Sequence, residues 1–299
     1  MNRSLRRVAL ALAVGVLCVT AIGACGEDSP KQASGAQRLL EQTFKATSTA
    51  LENGRLDARL QLEPKGLLAL GGPISLAVKG PFALPEGDGQ PLADLDAVIT
   101  VAGRRYDGGL ISDGKHRFLE LDGKAYRHDH KRSKNRLEAL DLDPLRWVKG
   151  EQTKANERIR GTDTVHVTGT VDAARMLDDL DELVPAQLGD RIAGAVKSAV
   201  VDVWSGAEDK ILRQLVLRVV FEVAKGDEPP IDGLEAGRMQ LRVRLDDVNG
   251  RPPEIKAPAK ARPLSEVPTD RGLGGLLECL EKSARSGAEL VQCVATLDP

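Results

Sequence analysis

The chain has 299 residues, a formal net charge of −2 at pH 7 and hydrophobic residues at 41% of its positions. It is long enough to bury a sizeable core, in one large domain or two small ones. The near balance of acidic and basic residues provides no electrostatic basis for nucleic-acid binding, and only 3% of the residues are aromatic side chains that could stack on sugars or bases.

The first 24 residues have the layout of a secretory signal. Three arginines and no acidic residue precede an apolar run, residues 8–22, which is too short to span a bilayer with margin. The run ends in Ile22-Gly23-Ala24-Cys25, which resembles the lipobox of bacterial lipoproteins. The resemblance implies cleavage before Cys25, fatty acyl chains such as palmitate on this cysteine, and attachment to the extracytoplasmic face of the cell membrane. The alternatives are an ordinary secretory signal followed by an unrelated cysteine, and a retained transmembrane anchor.

A tether, a helix and a strand meander are predicted next. Residues 25–35 are small and polar, as expected of a flexible tether. Helical spacing of apolar residues predicts a helix over 36–51. Asp113-Gly114 and Asp122-Gly123 are hairpin-type turns, so neighbouring strands are expected to be antiparallel. Alternation of apolar and polar residues predicts the strands themselves over 56–62, 74–78, 95–101, 110–112 and 117–121.

A strongly basic segment, residues 124–136, follows the meander and contains His128-x-His130. Two histidines without a nearby third ligand are a weak metal motif. We therefore interpret the segment as a solvated loop. The alternative is a contact with anionic lipid head groups, to which each Lys or Arg near the surface contributes roughly 1 kcal/mol.

The second half of the chain is predicted to alternate between helices and strands. His166 is expected on the solvent-facing side of a strand without a partner, so no catalytic role is predicted for it. The strand from Ile211 is apolar on both faces and is expected to be central, whereas the last strand has a basic outer face. The predicted helices cover 137–148, 173–183 and 185–199, and the predicted strands 162–172, 200–204, 211–224 and 239–245.

The tail, residues 263–299, is predicted to form a helical hairpin that is interrupted at Ser286-Gly287. Cys279 and Cys293 lie on opposite sides of this interruption. In an oxidising compartment the pair is expected to form a disulfide, which contributes roughly 3 kcal/mol by restricting the unfolded chain.

Sequence motifs that indicate catalysis are missing. The chain has no G-x-S-x-G, H-E-x-x-H, Walker-type or dinucleotide-binding motif. Its four histidines are scattered, and acidic pairs such as Asp178-Asp179 lie beside the apolar positions of a predicted helix, where solvated side chains are ordinary. We therefore expect a protein that is not an enzyme and that uses neither a metal ion nor another cofactor.

The order of these elements resembles that of LppX/LprG-type actinobacterial lipoproteins, which are related in architecture to the LolA and LolB lipoprotein carriers. The resemblance covers roughly residues 39–258 and is carried most clearly by Leu142-Asp143-Pro144-Leu145 and by residues 161–169. It implies an α+β fold over residues 36–262, in which a single curved antiparallel sheet, a half-barrel, is wrapped around helices. The basic segment and the cysteine-containing tail depart from the family pattern.

The same resemblance implies an apolar cavity between sheet and helices that holds lipid acyl chains. The predicted function is that of a membrane-anchored, non-catalytic carrier or sensor, a monomer whose partner is a lipid or acyl chain. The alternative is a structural or interaction lipoprotein of the cell envelope with a closed core and no ligand. The residues expected to line the cavity are Leu60, Leu76, Val78, Ile99, Val101, Leu119, Val167, Leu180 and Ile192.

Overall fold

Helix α1 (Gly35–Ala50) is the first element of the described residues. Ser34 caps it, since its hydroxyl oxygen accepts a hydrogen bond from the backbone N–H of Gln37 at 3.0 Å. Apolar residues recur three or four positions apart and give the helix one buried side. That side is formed by Ala36, Leu40, Thr43, Phe44 and Thr47. The computed structural model describes residues 34–66, 72–85, 89–128, 144–179, 186–224, 233–268, 272–282, 292–293 and 296.

Most of the described chain belongs to one sheet of 13 strands, which confirms the predicted α+β class and the single curved antiparallel sheet. The strands are β1 (Asn53–Lys65), β2 (Ile74–Ala83), β3 (Leu92–Val101), β4 (Arg104–Asp113), β5 (Arg117–Leu121), β6 (Lys124–His128), β7 (Val148–Thr153), β8 (Glu157–Ile159), β9 (Thr162–Val171), β10 (Val196–Gly206), β11 (Leu212–Glu222), β12 (Ala236–Asp246) and β13 (Ala261–Pro263). The remaining helices are α2 (Pro144–Trp147), α3 (Ala173–Asp178), α4 (Ala186–Ala195) and α5 (Gly272–Lys282), with a 3₁₀ turn at Leu264–Glu266.

The strands follow the order β13-β6-β5-β4-β3-β2-β1-β12-β11-β10-β9-β7, with β8 paired to β9. The pairing of β13 with β6 is parallel, and the other pairings along this path are antiparallel. The sheet is curved and does not close, so its ends at β13 and β7 remain separate edges. Strand β11 is an interior strand, as predicted.

Two-residue turns join several of the hairpins. Asp122 and Gly123, predicted as such a turn, have φ angles of 50° and 70° and connect β5 to β6. Ala102-Gly103 and Arg160-Gly161 adopt the same conformation between other strands. Positive φ at both residues matches the right-handed twist of the flanking strands. The turns therefore fix the register of these hairpins.

Three segments differ from the sequence-based prediction. Residues 124–128, interpreted as part of a solvated loop, form β6, in which Ala125 and Tyr126 are buried. Residues 196–199, expected to be helical, begin β10, because Ser198 and Ala199 pair with Val220 and Val219 of β11. Residues 155–161, expected to turn the chain, contain the short strand β8, which pairs with β9. In each case pairing with another strand outweighs local preference. Of the predicted 137–148 helix, the described part is helical only over Pro144–Trp147, and residues 137–143 lie outside the described residues.

The helices cover one face of the sheet in two places. Around α1, a cluster of buried aliphatic side chains extends over β1, β2, β3, β9, β10, β11 and β12. Around α5, a second cluster joins Leu273, Leu276 and Cys279 to residues of β3, β4, β5 and β6. Cys279 and Cys293 form a disulfide with an S–S distance of 2.00 Å. We call the helix-covered side the apolar face and the opposite side the polar face.

A buried hydrogen bond connects α1 to the sheet. The Thr47 hydroxyl donates to the carbonyl oxygen of Thr43 at 2.6 Å and accepts from the backbone N–H of Leu212 at 2.9 Å. Thr47 is fully buried. Because a buried N–H without an acceptor costs free energy, this contact fixes the helix against the start of β11.

The polar face contains a buried cluster around His166. The sequence placed this side chain on the solvent-facing side of its strand, and it does lie on the polar face. The expectation that it has no partner was wrong, because His166 is only 8% exposed and has two carboxylate partners. Its Nε2 lies 2.9 Å from Asp202 Oδ1 and its Nδ1 lies 3.2 Å from Glu157 Oε1. The ring stacks on Trp204 with a centroid distance of 4.2 Å. Strand β8, which supplies Glu157, is too short to give a sequence signal, so this partner was not foreseen.

Asp202 is the charged centre of this cluster. Burial by itself raises the pKa of its carboxyl, but hydrogen bonds from Arg218, His166 and Thr168 outweigh burial and leave the pKa below its ordinary value. The ionised carboxylate therefore stabilises the fold at neutral pH. The cluster connects β8, β9, β10 and β11 across the polar face.

Replacing Thr47 by Val should lower the free energy of unfolding by about 1–3 kcal/mol, since the buried Leu212 N–H loses its acceptor. The measurement is urea denaturation followed by circular dichroism. Thr49→Val is the matched control, because Thr49 is exposed and bonds only within the helix, to the Lys45 carbonyl at 2.8 Å. Equal losses in the two variants would contradict this role of Thr47.

Replacing Asp202 by Asn should destabilise the protein at pH 7 by about 1–3 kcal/mol, because Arg218 and His166 lose a charged acceptor. The pKa of Asp202 is lowered in the folded state, so its stabilisation is present above the unfolded value of about 3.9 and is lost as pH falls through the folded value. The difference between wild type and variant should therefore shrink below about pH 4.

Denaturation curves recorded between pH 3 and 8 measure this effect. Asp163→Asn is the control, because Asp163 is exposed and pairs only with the equally exposed Arg158. It should leave stability unchanged within error. A deficit of Asp202→Asn that stays constant down to pH 3 would show that the charge of this carboxylate is not what stabilises the fold.

Candidate functional site

Burial on the apolar face decreases along three adjacent strands. On β1, Leu56 and Ala58 are buried, whereas Leu60 and Leu62 are only half-buried. The neighbouring strands show the same decrease, from Val78 to Leu76 and Ile74 on β2 and from Val243 to Leu241 and Met239 on β12. Leu60, Leu62 and their neighbours on β2 and β12 therefore form a stretch of partly accessible aliphatic side chains, beyond which Pro64 and Gly237 are buried again.

The register brings these side chains into one block. Leu60 lies directly opposite Leu76 on β2 and Leu241 on β12. Leu62 lies directly opposite Ile74 and Met239 on the same two strands. Opposite residues in antiparallel strands share a face, with Cβ atoms about 4.5–5.5 Å apart. We call this block of six residues the aliphatic strip.

The aliphatic strip lies between the two helix-covered clusters. Met239 and Leu241 pack against the cluster around α1, Ile74 packs against the cluster around α5, and Leu76 packs against both. Leu60 and Leu62 belong to neither of these clusters of described residues. The strip is thus an interval on a continuous apolar face over which the described helices provide only partial cover.

The chemistry of the strip is purely apolar. Its six side chains have no hydrogen-bond donor and no titratable group, and their only acceptor is the weakly accepting thioether sulfur of Met239, so the strip cannot transfer a proton and is poorly suited to orient a polar ligand. Branched and linear aliphatic side chains provide dispersion and hydrophobic contact without a preferred direction. A flexible hydrocarbon chain suits such a surface, because each methylene removed from water contributes about 0.8 kcal/mol.

The nine residues predicted to line a cavity do not lie together in the structure. Leu60 and Leu76 belong to the aliphatic strip. Val78 and Val167 are buried in the cluster around α1, and Leu180 lies outside the described residues. The cluster around α5 includes Ile99 and Val101, with Leu119 packed against it, while Ile192 of α4 is half-buried.

Four strip residues were not among those nine: Leu62, Ile74, Met239 and Leu241. Their alternation with polar neighbours is visible in the sequence. What the sequence did not contain was the pairing of β1 with β12, which joins segments nearly two hundred residues apart. With that register known, the alternation itself would have selected them.

Two open depressions formed by described residues lie away from the aliphatic strip and have no large aliphatic side chains in their lining. One, of about 580 Å³, lies on the polar face beside Gln61, Ser75 and Thr100. The other, of about 320 Å³, lies at the β5–β6 turn and is lined by Arg105, Glu120 and other residues. Neither has the aliphatic lining that an acyl chain requires.

Several other predictions concern residues outside the described part of the chain. Cys25 and the tether before Ser34 are outside it, as are residues 129–136 of the basic segment and most of the second helix of the tail. Contact of the 124–136 segment with anionic lipid thus stays a prediction. Within the described ranges, no three His, Cys, Asp or Glu residues are grouped so that they could hold a metal ion, and no helix has the length and hydropathy to cross a bilayer.

No protein-family model matches the sequence, and no curated protein matches it. Solved structures do resemble the fold. The Mycobacterium tuberculosis lipoprotein LppX is 14% identical, with 74% of this chain and 98% of that chain covered and a TM-score of 0.42. LprF from Mycobacterium bovis is 19% identical, with 79% and 100% covered and a TM-score of 0.45.

A putative outer membrane lipoprotein-sorting protein domain from Vibrio parahaemolyticus is more distant. It is 10% identical, with 72% of this chain and 92% of that chain covered and a TM-score of 0.22. The resemblance to LppX/LprG-type lipoproteins that the sequence indicated is thus also found in the comparison with solved structures, as a similarity in fold.

Proposed function

We propose that this chain is a membrane-anchored lipoprotein that holds lipid acyl chains against the aliphatic strip and catalyses no reaction. The observation that carries the proposal is the half-buried state of Leu60, Leu62 and their cross-strand neighbours on an otherwise buried apolar face. A contiguous accessible aliphatic surface is favourable only when something apolar covers it. An acyl chain covers it without needing any polar partner from the strip.

The nature of the strip supports acyl chains over other apolar ligands. Its residues are aliphatic, which gives a smooth surface without the flat aromatic platforms that favour rings. Because contact with methylene groups is undirected, ligands that differ in chain length should bind with graded affinity. A carrier or sensor of several related lipids is consistent with this type of surface.

The proposed location follows from Cys25. Two acyl chains on one cysteine suffice for stable anchoring, whereas one chain gives only marginal binding. The nine residues from Cys25 to the helix cap at Ser34 span at most about 30 Å when fully extended. A monomer tethered in this way on the extracytoplasmic face would remain within reach of the lipids that it binds.

Replacing Leu60 by Glu should weaken the binding of a fluorescent fatty acid by about tenfold or more, because a carboxylate on the strip must be desolvated when the chain binds. Fluorescence titration of the chain from Gly26 onward measures the dissociation constant. Val220→Glu is the matched control, since Val220 is 41% exposed and lies opposite Arg238 on the polar face of the same sheet. The affinity of the Val220→Glu variant for the fatty acid should equal that of the wild type.

Native mass spectrometry of the same protein, purified from cells, provides a second measurement. Co-purified lipid that is lost in Leu60→Glu and kept in Val220→Glu would support the proposal, with circular dichroism showing that both variants are folded. Equal affinities in both variants would place the ligand elsewhere. A wild-type protein that binds no fatty acid and carries no lipid would leave the alternative, a structural or interaction lipoprotein with a closed core.

A further inference from the structure

The polar face carries a concentration of arginines behind the aliphatic strip. Arg59 on β1 lies directly opposite Arg242 on β12, and Arg244 follows two positions later on the same face. Arg218 on β11 lies opposite Gln240, two positions before Arg242. We call these four residues the arginine array.

Three members of the arginine array are bonded to carboxylates. Asp57 accepts from Arg59 at 3.0 Å and from Arg244 at 2.8 Å. Arg244 also bonds Asp246 at 3.2 Å. Asp202 bonds Arg218 in addition to His166. These pairs balance three of the four guanidinium groups.

Arg242 is the unbalanced member. It is half-buried, and its Nε is buried without a hydrogen-bond partner. None of the salt bridges between described residues involves it. Its direct neighbours are Arg59, which has the same charge, and Val216, which has none. Like charges directly opposite on a sheet are destabilising, and a buried N–H without an acceptor is rare in folded proteins, so both features require an explanation.

We propose that the polar face binds a phosphate-type oxyanion between Arg242 and Arg59. The Arg242 Nε–H and its neighbouring N–H groups form a planar fork suited to two oxygens of one anion. Arg59 uses Nε and Nη2 for Asp57, which leaves Nη1 for the same anion. An anion with several oxygens serves donors from both side chains and removes the repulsion between them. A free phosphate and the phosphate of a lipid head group share this chemistry.

The test follows the Nε–H signal of Arg242 by ¹H–¹⁵N NMR in the full chain, held in dodecyl maltoside micelles, whose head groups contain no phosphate. Arg242→Lys assigns the signal, because it keeps the charge and removes the fork. Inorganic phosphate is titrated at constant ionic strength, with chloride as the reference salt. We expect the Arg242 signal to shift and saturate with phosphate and to remain still with chloride.

Isothermal titration calorimetry of the variants measures affinity. Arg242→Gln should weaken phosphate binding by about tenfold or more, as expected for loss of a charged hydrogen-bond partner, and Arg242→Lys should weaken it less. Arg158→Gln is the matched control, since Arg158 on β8 loses the same charge but is 67% exposed and paired with Asp163. Its phosphate affinity should not change. If Arg242→Gln does not fold, the phosphate affinity of Arg242→Lys is compared with that of the wild type instead.

Nanodiscs of phosphatidylglycerol distinguish binding of free phosphate from binding of a lipid head-group phosphate. A shift of the Arg242 signal in these discs without added phosphate assigns the head group as the source, and a shift that appears only with added phosphate assigns the free ion. No shift in either case would overturn the proposal, as would equal phosphate affinity in wild type and Arg242→Gln. The site lies on the face opposite the aliphatic strip, so its test is independent of acyl-chain binding.

Discussion

The packing of α1 onto the apolar face of the sheet is the contact on which the rest of the structure depends. Twelve strands lie side by side along the curve, and with about 4.8 Å between neighbours they extend over roughly 50 Å. A helix is only about 10–12 Å wide. A single helix therefore buries only part of this face, α5 covers a second part, and the interval between them is the aliphatic strip.

The two faces of the same strands have different chemistry. Because successive side chains point to opposite sides, β1 contributes Leu60 to the aliphatic strip and Arg59 to the arginine array, and β12 contributes Leu241 and Arg242 in the same way. A shift of either strand by one residue would exchange the two surfaces. On the polar face the ion pair between Asp57 and Arg244 joins β1 to β12, so the register that creates both surfaces is supported by contacts on both faces.

The elements that were predicted correctly are those with strong local signals in the sequence. The apolar stripe of α1, the alternation in β1, β2 and β3, and the Asp122-Gly123 turn each act over a few residues, and each prediction is confirmed. Predictions failed where pairing between strands outweighs local preference. Residues 196–199 have helical spacing but pair with β11, and three-residue β8 exists because β9 provides its partner. His166 was predicted to face solvent because no pattern in the sequence indicates that Glu157 and Asp202 lie beside it.

The sequence by itself determined the α+β class, the antiparallel meander, the aliphatic nature of the interior and the lipobox-like motif at Cys25, because these depend on composition and short-range periodicity. Only the tertiary structure decided that Leu60 lies between Leu76 and Leu241 and that Arg242 faces Arg59. These pairs join residues far apart in the chain. Their meeting depends on strand order and register, which no local pattern specifies.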